Sequence, residues 1–168
     1  MYEIGELVLY GIHGICTVTG IERMRFGKEK ADYYVLVPRE QPESKFYVPV
    51  ANEAAVAKLR SLLSREELLE LLHSEQVRNY PWIAEEGQRK LRFKELINSG
   101  DRAQLMGMIG ALHRHRQEQL AAGRKFHQSD ENFLNDAQKL LNAEFALVFD
   151  LEPKAVSGFI LRELENTH

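Results

Sequence analysis

The apolar pattern of this chain changes period once, after Pro49, and that change constrains the fold more than any other feature. Before it lie short runs rich in β-branched and aromatic residues: Leu7-Val8-Leu9-Tyr10, Ile15 to Ile21, Tyr33-Tyr34-Val35-Leu36-Val37 and Phe46-Tyr47-Val48. Gly11, Gly14, Gly27, Pro38 and Pro42 sit between them, which is the pattern of strands joined by tight turns. Four or five strands at this spacing predict a small antiparallel barrel or rolled sheet over residues 1–50. A module of that size encloses no large ligand, so its useful surfaces are its exterior and its edges.

Beyond Pro49 apolar residues recur at three and four. Ser64-Arg65-Glu66-Glu67 has the form of a capping box ahead of Leu68, Leu69, Leu71 and Leu72. A polar stretch holding Asn79 and Pro81 interrupts, and helical spacing resumes with Leu91, Phe93, Leu96 and Ile97. Ser99-Gly100-Asp101 stops one helix and starts another, whose core face is read as Leu105, Met108, Ile109 and Leu112. Ser129 is expected to cap a further helix, and Pro153 to open a last one. The expectation for residues 51–168 is a compact bundle of about five helices, making the whole chain α+β with two small domains.

Several function classes are disfavoured. The lone Cys16 precludes an internal disulfide and a Cys-rich zinc site, and fits a reducing cytoplasm. No apolar run approaches the roughly 20 residues of a membrane span, and MYEIGELVLY lacks the basic start of a signal peptide. His113 and His115, two residues apart on a helix, point to different sides and make a poor metal pair. There is no H-E-x-x-H, P-loop or G-x-S-x-G motif, so no catalytic residue, cofactor or metal is assigned.

Net charge is −3, but its distribution matters more than its sum. Residues 81–128 hold nine basic and five acidic residues, net +4, while residues 129–168 hold three and eight, net −5. Screening confines such charges to a Debye length of roughly 8–10 Å, so a local basic cluster can attract phosphates despite a distant acidic segment. Trp82, the only tryptophan, stands just before the most basic stretch. It is open to two readings: a core residue, or a partly exposed ring able to stack or wedge at distorted DNA.

The opening Ile4-Gly5-Glu6-Leu7-Val8-Leu9-Tyr10-Gly11-Ile12-His13-Gly14-Ile15 resembles the "G-[DE]-x-V-x-Y-x-x-H-G" start of the CarD/CdnL family, whose N-terminal module is shared with transcription-repair coupling factor. Tyr34-Val35-Leu36, Val48-Pro49-Val50-Ala51-Asn52, Ser99-Gly100-Asp101, Leu120-Ala121-Ala122-Gly123-Arg124-Lys125 and Ala143-Glu144-Phe145-Ala146-Leu147 resemble later family segments in the same order. The resemblance implies a Tudor-like, SH3-like barrel at residues 1–50 that binds the RNA polymerase β subunit. It further implies a helical domain at 51–168 that contacts promoter DNA and modulates open-complex stability, without enzymatic activity.

The polymerase-binding positions implied are Met24 and Tyr47, where this chain lacks the family's basic residues, with Arg23, Arg25, Lys45 and Phe46 beside them. The DNA-binding set is Trp82, as a minor-groove wedge, with Arg89, Lys90, Arg92, Lys94, Arg114, Arg116, Arg124 and Lys125 on phosphates. The reading is a monomeric, cytoplasmic, bacterial-type transcription regulator with no small-molecule substrate and no membrane partner. The alternative is a protein–protein adaptor that does not touch DNA, which would bury Trp82 in the bundle and scatter the basic residues.

Overall fold

The computed structural model describes residues 1–165, the side chain of Ile12 excepted. The chain divides into two compact units, residues 1–62 and residues 63–168.

In the first unit, strands β1 (Leu7–Tyr10), β2 (Ile15–Phe26), β3 (Glu29–Pro38) and β4 (Phe46–Pro49) are followed by a single helical turn, α1 (Glu53–Val56), and strand β5 (Leu59–Ser61). The sheet is antiparallel throughout, in the order β4-β3-β2-β1-β5. Gly27, at φ 74°, makes the two-residue turn between β2 and β3 possible, because a β-carbon would be strained there. Val8, Cys16, Val18, Tyr34, Leu36, Val48 and Leu59 form the core on one face.

Of the barrel or rolled sheet expected over residues 1–50, the structure has the rolled sheet, which does not close. The sheet rolls far enough that the Tyr10 ring of β1 meets the Phe46 ring of β4 edge-on at 5.6 Å. β1 spends its free edge on β5 instead, leaving β4 and β5 as short edges of an open sheet. That pairing also carries the unit past residue 50, where the sequence pattern placed the division. Leu59-Arg60-Ser61 is too short to announce a strand, and only its partner in β1 makes it one.

One irregularity decides what each side chain of β2 faces. Val18 pairs with Leu36 and Gly20 with Val35, so Thr19 is an extra residue, a β-bulge. Directly paired residues share a face. Cys16 and Val18 therefore face the core, but beyond the bulge Gly20, Glu22, Met24 and Phe26 turn to the outer face with Val35, Tyr33, Ala31 and Glu29.

Among the described residues the second unit contains six helices where about five were expected: α2 (Arg65–Leu72), α3 (Glu75–Arg78), α4 (Glu86–Ser99), α5 (Arg102–Ala121), α6 (Gln128–Val148) and α7 (Pro153–Glu165). The additional one, α3, is a single turn inside the polar stretch, capped by Ser74. The Ser64 capping box forms, Gly100 closes α4 in the left-handed conformation, and Asp101 caps α5. Ser129 lies inside α6; His127 occupies the cap position with no side-chain bond.

α5 departs most from its expected role. Nine consecutive residues, Leu105 to His113, are buried, so the helix is covered on all sides rather than along one face. Gly107 permits this crowding, since a β-carbon there would collide with the Tyr80 ring. Two buried ion pairs brace the bundle. Arg102 holds Glu144 through Nε–Oε1 at 2.6 Å and Nη2–Oε2 at 2.7 Å, and Arg89 holds Asp130 through Nε at 3.0 Å and Nη2 at 3.1 Å.

Candidate functional site

Five aromatic and apolar side chains share the outer face of the sheet. Phe26 packs on Tyr33 with ring centroids 5.0 Å apart and lies 6.4 Å from the Tyr47 ring. Val35 pairs directly with Tyr47, and Met24 stands two residues from Phe26 on the same face. Phe26 remains 55% exposed and Tyr47 37%, so the cluster presents apolar surface that the sheet does not bury itself.

The six expected polymerase-binding positions do not form one surface. Met24 and Tyr47 belong to the outer face. Arg23 and Arg25 lie on the opposite face because of the bulge, and Arg23 is paired with Asp32 at 3.4 Å. Phe46 also turns inward, against Tyr10 and His13. Lys45 is exposed just before β4. The residues that complete the outer cluster, Phe26 and Tyr33, were absent from the expected set. Their signal was an aromatic directly before a Gly27-Lys28 hairpin turn, where burial cannot explain it.

In the helical unit the predicted set also separates. Arg89 is 4% exposed, with Asp130 fully buried beside it; its Nη1 also donates to the Ile83 and Ala84 carbonyls at 3.0 and 3.2 Å. Arg89 is thus an internal brace, and its expected place on a phosphate is corrected. A guanidinium needs few further partners once it holds a carboxylate bidentately and two carbonyls.

Trp82 is half-buried and packs against the main core. Its indole stacks on the His115 ring at 4.0 Å and 18°, and the Arg89 guanidinium carbon lies 4.7 Å from its centroid. Such stacking and cation–π contact contribute on the order of 1 kcal/mol each. The ring is therefore clamped, with only part of it at the surface.

Burial holds the His115 pKa below the ordinary imidazole range; Asp130 and Glu118 oppose that shift, while Arg89 and His127 add to it. The unfolded chain then binds the proton more readily, so this group's contribution to stability falls as pH drops through the unfolded value of about 6.5, and levels off once the folded imidazole protonates too. Trp82→Ala is expected to uncover His115 and move its NMR titration midpoint up toward the ordinary value. An unmoved midpoint would show that the indole is not what desolvates it.

Around this cluster the remaining bases take distinct places. Lys90 and Lys94, four residues apart, share one flank of α4, whereas Arg92 falls on the opposite flank. Lys90 pairs with Glu86 at 3.2 Å, and Arg92 with Glu95 at 3.2 Å. Arg114 donates to the Tyr80 carbonyl at 3.4 Å, whereas Arg92 lies against the Tyr80 hydroxyl at the other end of that residue. Arg116 is drawn toward Glu131 and His113. Arg124 and Lys125 are exposed in the loop whose Phe126 lies 6.2 Å from the His115 ring. Among the described residues Lys94, Arg124 and Lys125 have no carboxylate within ion-pair distance.

Other candidate chemistry is committed elsewhere. The buried Cys16 thiol is pushed up to about 11 by desolvation, so the thiolate a nucleophile needs is scarce near neutrality. His113 bonds Glu165 at 2.9 Å. Among the described residues no group of three His, Cys, Asp or Glu could hold a metal ion, and no helix is long and apolar enough to cross a membrane.

A short, rolled, five-stranded antiparallel unit with an exposed aromatic outer face, followed by a helical unit with basic flanks, defines a class of chain built to bind rather than enclose its partners. Residues 2–61 match the CarD-like/TRCF RID domain model, so the sheet unit is of the CarD-like/TRCF RID type. Over 165 residues it is 22% identical to "Putative transcription factor YdeB" of Bacillus subtilis (strain 168), covering 95% of this chain and 99% of that protein. These similarities support a role connected with transcription.

Proposed function

We propose that this chain is a non-enzymatic transcription regulator that docks on the RNA polymerase β subunit through the outer face of its sheet unit. Its helical unit holds promoter DNA through phosphate contacts and so alters open-complex stability. The observation that carries the reading is the exposed Arg124-Lys125 loop, whose Phe126 packs beside the His115 ring that stacks on Trp82. Arg92, and Lys90 with Lys94, add bases on opposite flanks of α4, and Arg114 adds one at the Tyr80 carbonyl. Trp82 offers the minor groove a rigid, partly exposed edge rather than a free wedge. Base readout is not part of the reading, because phosphate contacts carry no sequence information. The regulator shifts the promoter equilibrium only by the difference between its affinities for open and closed DNA.

The packing of Trp82 into the core favours the adaptor reading, in which the helical unit binds protein instead. Salt dependence separates the two. In Lys94→Ala/Arg124→Ala/Lys125→Ala, loss of three phosphate contacts is expected to lower the slope of log K against log salt by about 2–3. Open complexes should become correspondingly short-lived or long-lived relative to wild type. Unchanged slope and lifetime with intact polymerase binding would favour the adaptor.

A further inference from the structure

A cleft of about 580 Å³, largely open to solvent, lies between α3, the 80–83 segment, α4 and α5. Its walls carry three primary amides (Gln76, Asn79 and Gln104), the Tyr80 phenol, and one charge of each sign in Arg92 and Glu75. Pro81 and Ile83 supply its apolar part. Tyr80 is fixed there: its hydroxyl donates to Gln104 Oε1 at 3.0 Å, and its ring occupies the space that Gly107 leaves. Among the described residues the Gln76 and Asn79 side-chain amides have no hydrogen-bond partner within the protein, and both are exposed to whatever enters.

We propose that this cleft receives one unpaired nucleobase of the bound DNA, an inference that rests on the DNA-binding reading above. The chemistry selects that class of ligand. One arginine offset by one glutamate makes a weak anion site and no metal site, whereas amides set a donor beside an acceptor, as the edge of a base does. The half-apolar lining suits a flat ring removed from its stack. Arg92, already on the wall, is the base available to the phosphate of such a nucleotide. A base paired in duplex DNA cannot enter, so the cleft adds affinity only where strands are separated. That is a differential contact of the kind that shifts a melting equilibrium.

The test compares the full-length protein on a duplex and on the same duplex with a short mismatched bubble carrying 2-aminopurine. Gln76→Ala/Asn79→Ala alters two exposed side chains, and circular dichroism confirms that the variant is folded. Wild type is expected to prefer the bubble and to change the 2-aminopurine emission. The variant should keep its duplex affinity while losing about tenfold of the bubble preference, the scale expected for loss of two hydrogen bonds. A variant that retains the full preference, or a wild type that binds both probes equally, overturns the cleft assignment and leaves phosphate binding standing. A wild type that binds neither probe overturns both readings.

Discussion

Asp130→Ala is expected to destabilise the helical unit by about 3–5 kcal/mol, the loss typical when one partner of a buried ion pair is removed. Asp130 is fully buried and Arg89 nearly so, and the alanine would leave a guanidinium with only the Ile83 and Ala84 carbonyls in a site closed to water. The pair ties α4 to the first turn of α6, and Arg89 also lies over Trp82. Trp82 is the only tryptophan and sits in the helical unit, so its fluorescence in a urea titration reports on that unit alone. Replacing both partners, as in Arg89→Met/Asp130→Leu, is expected to recover most of the loss, because two apolar side chains need no compensation. A loss below about 1 kcal/mol for Asp130→Ala would mean that the buried pair is hydrated or dispensable. The contrast with Lys94→Ala/Arg124→Ala/Lys125→Ala is diagnostic: those exposed changes should weaken DNA binding with little effect on the urea midpoint.

Phe26→Ala/Tyr47→Ala is expected to weaken binding to polymerase on the order of a hundredfold, since aromatic anchors at interfaces commonly cost about 2 kcal/mol or more when truncated. Both rings are exposed, so folding loses little, and titration calorimetry or surface plasmon resonance against the β subunit measures the effect directly. The comparison that matters is Arg23→Ala, expected to change affinity less than about threefold. Arg23 lies on the other face, where an exposed pair with Asp32 is worth at most about 1 kcal/mol. If Arg23→Ala and Arg25→Ala abolish binding while the aromatic variant binds normally, docking uses the other face and the outer cluster has a different partner.

Much of the architecture was legible because the signals that mark it are local. The Ser64 box, the Ser99-Gly100-Asp101 junction, Pro153 and the Gly27 turn each act through hydrogen bonds or backbone angles within three or four residues, and each appears in the structure where the pattern placed it. The family likeness of the N-terminal segment was legible for the same reason, as a string of adjacent residues. The bulge at Thr19 carried no such mark. Its consequence, sending Met24 and Phe26 to one face and Arg23 and Arg25 to the other, reverses an alternation that a period of two would have run straight through.

The candidate sites were legible in their ingredients and not in their grouping. The run from Arg89 to Lys94 announced a basic helix, and charge counting by segment located it. Which of those charges remain free depends on Asp130, forty-one residues beyond Arg89, and on the turn of α4 that puts Arg92 across from Lys90 and Lys94. Likewise β5 exists only because β1 has an edge to offer, and α5 is covered all round only because Tyr80 and its neighbours close over Gly107. The sequence by itself determined the longer strands and helices and most of their caps and turns, because those depend on contacts between near neighbours. Tertiary structure alone decided which face of β2 is outward, that the sheet stays open, and that Arg89 and Trp82 serve as internal braces, because each depends on a partner distant along the chain.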